Sequence, residues 1–110
     1  FSGGWNFGPN DNDVMTVEWI IKKMCKEWGE TAKWCIQSDE TNLLHEAKYL
    51  KLNTSKANIN LNWNPVMGIE ETINVIVDWY KNYEETKDMR DITINQISKY
   101  EDKIKNAEYK

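Results

Sequence analysis

A chain of 110 residues, 40% hydrophobic and 29% charged, has the size and composition of one small globular domain. Its formal net charge of −4 argues against nucleic acid as a partner, because phosphate binding calls for a basic face. No apolar run approaches the roughly 18 residues of a membrane span and no secretory leader is visible, which points to a cytoplasmic protein with no membrane partner.

Taken in chain order, "GWNF" reads as an aromatic-rich strand, ended by a Gly-Pro turn and the turn-rich loop "PNDNDVM". Thr16 is placed as a helix N-cap. Behind it Val17, Ile20, Ile21, Met24, Cys25 and Trp28 follow the spacing of an amphipathic helix over residues 16–28, with Gly29 as its left-handed cap. "AKWCIQ" and "KYLKLN" read as two further short strands flanking the loop "SDETN". Thr54 caps a short helix with Ala57 and Leu61 on one face, Asn62 supplies a left-handed exit, and Pro65 prevents continuation. A longer helix spans residues 69–84. Ile69, Ile73, Ile76, Val77 and Tyr80 run along one side and Thr72, Val75 and Trp79 along a second, so both flanks are expected to be covered. Thr93 and Gln96 match a capping box that starts a last helix carrying Ile94, Ile97, Tyr100 and Ile104. The expected fold class is α+β in a single unit over residues 1–110, with about four helices and two or three short strands. So small a sheet is a poor foundation alone, and its edges call for a larger sheet beside them.

The chemistry-bearing residues do not converge on a complete active site. His45 is the single histidine; paired with Glu46 it lacks the second ligand of a zinc-hydrolase helix, so no metal site is read here. The opening glycines are not spaced as a phosphate-binding loop. Glu70 and Glu71 are explained by the first turn of a helix, where carboxylates oppose the dipole. Most of the six tryptophans are expected in the core rather than on a sugar-stacking surface. Cys25 and Cys35, ten positions apart, read as buried reduced thiols, with a short disulfide as the alternative.

Several stretches resemble a known family. "GWNFGPND", "VEWIIKKMCKEWGE", "HEAKYLKLNTSKANINLNWNP", "WYKNY" and "DMRDITINQISKYE" stand in the order and spacing found in the carboxyl-terminal part of CDP-glucose 4,6-dehydratases, which are extended short-chain dehydrogenase/reductase enzymes. The likeness runs from residue 3 to about residue 101. It implies that these residues are the substrate-binding end of a longer, NAD-dependent enzyme. That enzyme converts CDP-glucose to CDP-4-keto-6-deoxyglucose and water, on the way to deoxysugars of bacterial surface polysaccharides. The opening glycines do not form the family's Gly-rich fingerprint, and the resemblance places that fingerprint, the catalytic Tyr-x-x-x-Lys, NAD and every catalytic residue outside these 110 residues. It implies substrate contacts for His45 and Glu46, with His45 donating to a phosphate oxygen and Glu46 accepting from a ribose hydroxyl, and also for Asn6 and Tyr49. It implies a homodimeric parent whose dimerising helices lie elsewhere. The departures from the family pattern are Asn53 for an aspartate, Asn62 for a glycine, and Leu43 and Leu44 where a proline-containing segment is common. A stand-alone sugar-binding module, a regulatory paralogue, and part of another sugar-nucleotide dehydratase or epimerase are the alternatives.

Overall fold

The computed structural model describes residues 1–35, 52–85 and 88–108. A single 3-10 turn, Asp11–Asp13, precedes four helices: α1 (Val17–Trp28), α2 (Ser55–Leu61), α3 (Ile69–Glu84) and α4 (Met89–Glu108). Helix α1 packs on one side of α3 and α4 on another, so α3 is the central element.

Helix α1 begins and ends as its residues dictate. The Trp19 N–H donates to Thr16 Oγ1 (3.2 Å), satisfying one orphan donor of the first turn. At the other end Gly29 takes φ 111° and its N–H reaches the Cys25 carbonyl, a conformation that disfavours any residue with a Cβ. The short α2 exits through Asn62 at φ 50° and ψ 32°, whose N–H bonds the Ala57 carbonyl. Thr54 stands at the N-cap of α2, yet its hydroxyl donates along the helix to Asn58 Oδ1 (3.1 Å). The capping acceptor is Asn53 Oδ1, which takes the Ser55 N–H (2.9 Å).

Helix α3 occupies the residues its periodicity predicts. Ile73 and Val77, 2% and 3% exposed, form with Ala57 the buried apolar set among the described residues. Lys81 Nζ donates to the Glu27 carbonyl (2.9 Å), a cation placed on the C-terminal turn of α1. Helix α4 corrects the capping-box expectation. It starts at Met89, four residues before Thr93, and Asp88 Oδ1 accepts the Arg90 N–H (3.0 Å) at its start. Thr93 and Gln96 instead pin α4 to α3: Trp79 Nε1 donates to Thr93 Oγ1 (3.0 Å) and Gln96 Nε2 to the Val75 carbonyl (3.1 Å).

The α+β expectation is overturned: the described residues contain no strand and no sheet, and the fold is helical. A strand exists through its ladder. The "GWNF" stretch does run beside residues 52–54, but side chains make the connection: Asn6 Nδ2 to the Asn53 carbonyl (3.3 Å) and Lys56 Nζ to the Gly4 carbonyl (2.8 Å). Its aromatic alternation serves ring contacts. Phe7 meets Trp63 edge-on at 5.0 Å, and Lys56 Nζ lies 4.3 Å from the centre of the Trp5 ring. Residues 32–35 of "AKWCIQ" are likewise without strand pairing, with Trp34 exposed beneath Lys22. The rest of that stretch and the first four residues of "KYLKLN" lie outside the described residues. Two packing expectations also change. Both cysteines are free thiols, Cys25 half-buried and Cys35 exposed, and none of the six tryptophans is fully buried.

Candidate functional site

Of the four residues singled out from the sequence, Asn6 lies within the described structure; His45, Glu46 and Tyr49 lie outside it. Asn6 is exposed, and its amide ties the first segment to the backbone of Asn53, 47 residues away. The bond joins two loops that wall one open cavity of about 500 Å³.

Amides and hydroxyls supply most of the cavity's lining, with Pro9, Leu52 and Asp11 completing it. Asn10 comes from the loop before α1, Asn53, Thr54, Ser55 and Asn58 from the start and first turn of α2, and Asn64 from the loop beyond it. Asn58 organises this rim. Its amide nitrogen donates to the Trp63 carbonyl (2.7 Å) and to Asn64 Oδ1 (3.2 Å), while its oxygen accepts from Thr54. One half-buried side chain therefore fixes both ends of α2 relative to each other. It was not singled out from the sequence, although a signal exists: Asn58, Asn60, Asn62 and Asn64 recur at every second position across a helix end. Such a recurrence places amides where they serve as helix exit and loop clamp.

Chemically, this lining offers paired donors and acceptors suited to hydroxyl groups, with Asp11 as its single charged member. It contains no cation to balance a phosphate. Lys56, the nearest cation along α2, is engaged at the Gly4 carbonyl and the Trp5 ring. On the other side of the same segment, Phe7 helps line an apolar hollow of about 290 Å³ with Trp63, Pro65, Ile69 and Tyr100. Adjacent in sequence, Asn6 bonds the backbone of Asn53, a residue of the polar cavity, while Phe7 lines the apolar hollow.

The glycine at the start of α3, Gly68, has the Asp13 carboxylate oxygens 3.7 Å from where its Cβ would stand, and the turn behind it carries Glu70 and Glu71. Both glutamates are paired, Glu70 with Lys23 (3.4 Å) and Glu71 with Lys103 (2.7 Å). Among the described residues no group of three or more His, Cys, Asp or Glu side chains could hold a metal ion, and no helix is long and apolar enough to cross a membrane.

The clearest electrostatic perturbation is at the α1–α3 contact. Lys23 bonds Glu27 (3.1 Å) on its own helix and Glu70 (3.4 Å) on α3. The Glu27 hydrogen bond, opposed by partial burial and reinforced by Glu70, holds the ammonium above the ordinary lysine value.

No family model matches the chain. It is 48% identical over 100 residues, 91% of its length, to CDP-glucose 4,6-dehydratase of Salmonella typhimurium. The chain spans 27% of that relative's length.

Proposed function

We propose that this chain is the nucleotide-sugar-binding portion of a CDP-glucose 4,6-dehydratase, a cytoplasmic lyase of the extended short-chain dehydrogenase/reductase type that supplies deoxysugars for surface polysaccharides. The observation that carries the reading is the 48% identity extending over 91% of the chain. The reaction removes water from CDP-glucose to leave CDP-4-keto-6-deoxyglucose. Its redox chemistry belongs to NAD, held by residues beyond these 110.

In this reading the chain binds and orients. Asn6, held against Asn53, presents an amide that can donate to the substrate and accept from it. His45 donates to a diphosphate oxygen, Glu46 accepts from a ribose hydroxyl, and Tyr49 is a further substrate contact. Charge neutralisation of the diphosphate comes largely from the remainder of the enzyme, which is a homodimer. Such contacts fix geometry without moving protons, so their loss falls on binding.

The test is a chimera in which this chain replaces the matching 100 residues of the Salmonella dehydratase. It is expected to convert CDP-glucose to a 4-keto sugar, whereas the isolated chain is not. Within the chimera, His45→Ala and Glu46→Ala should raise KM for CDP-glucose more than they lower kcat. A folded but inactive chimera overturns the assignment to this enzyme. An active chimera whose two variants keep wild-type KM overturns the roles of His45 and Glu46 alone.

A further inference from the structure

We draw no further inference here: the strongest candidate, the exposed apolar surface formed by Ile76, Tyr80 and Tyr83 of α3 and Ile94 and Ile97 of α4, carries nothing because nothing in the structure shows what covers it.

Discussion

Asn58 shows how one amide can decide a local fold. It donates twice and accepts once within a rim that joins the first turn of α2 to the loop beyond Asn62. Asn60, one helical step further, bonds only the Lys56 carbonyl on an exposed face. Asn58→Ala leaves the Trp63 carbonyl without its short partner and should destabilise the chain by about 1–2 kcal/mol, while Asn60→Ala should cost no more than about 0.5 kcal/mol. Urea unfolding of the two variants checks this, and equal costs would remove Asn58 from its organising role. Asn62 tests a different term. At φ 50° a β-branched side chain crowds the following carbonyl, so Asn62→Val should cost about 1–2 kcal/mol and Asn62→Gly almost nothing. These two residues differ in how far their sequence reveals them. The left-handed role of Asn62 follows from its place between a short helix and Asn-Pro, whereas Asn58 acts through the Trp63 carbonyl, a partner that appears only once the chain has turned.

Helix α3 was legible along its whole length because its apolar positions recur for four turns and a glycine precedes them. Its two flanks were legible in part: Ile73 and Val77 are buried and Val75 and Trp79 are bonded to α4, but Ile76 and Tyr80, expected to be covered, are exposed. What misled was the start of α4. Thr93 and Gln96 lie three apart on one helical face, the same spacing a capping box uses, and there they accept from and donate to α3 instead. The strand expectation failed for a related reason. Alternating aromatics signal a pleated ribbon only when another strand is present, and here Phe7 has Trp63 as its partner. The packing of α3 makes two measurable demands. Ile73→Ala removes a 2%-exposed side chain from a small core and should cost about 2–3 kcal/mol, against no more than about 1 kcal/mol for Ile76→Ala at 40% exposure. Similar losses in melting would mean that this face of α3 is not sealed. The second demand is a pH dependence. Because the Lys23 pKa is raised on folding, its contribution is complete below the unfolded lysine value of 10.5 and disappears as pH climbs through the higher folded value. The melting temperature should therefore fall more steeply above pH 10.5 in the wild type than in Lys23→Met. Parallel curves would show that the Glu27 and Glu70 contacts contribute nothing on folding.

At the scale of the whole molecule, the described residues bury few apolar side chains. Among the described residues only Ala57, Ile73 and Val77 are buried apolar side chains, while Phe7, Ile76, Tyr80, Ile94 and Ile97 stay open. Helices stabilised mainly by packing cannot be firm with so little packed against them. The isolated chain should consequently unfold over a broad range of urea, with an m-value below about 1 kcal/mol per molar, under the ordinary span for small proteins. It should also bind a hydrophobic dye at neutral pH. Both features follow from apolar area that is already exposed before unfolding begins, since m scales with the area newly exposed. In the Salmonella chimera the same residues should melt with the rest of the enzyme in one transition, dye binding should fall, and amide exchange along α3 should slow. If the isolated chain instead unfolds sharply with an m-value of about 1.5 kcal/mol per molar or more, it carries a sufficient core of its own. In that event the open faces of α3 and α4 would be ordinary surface, and the case for a larger enzyme around this chain would rest on sequence identity alone.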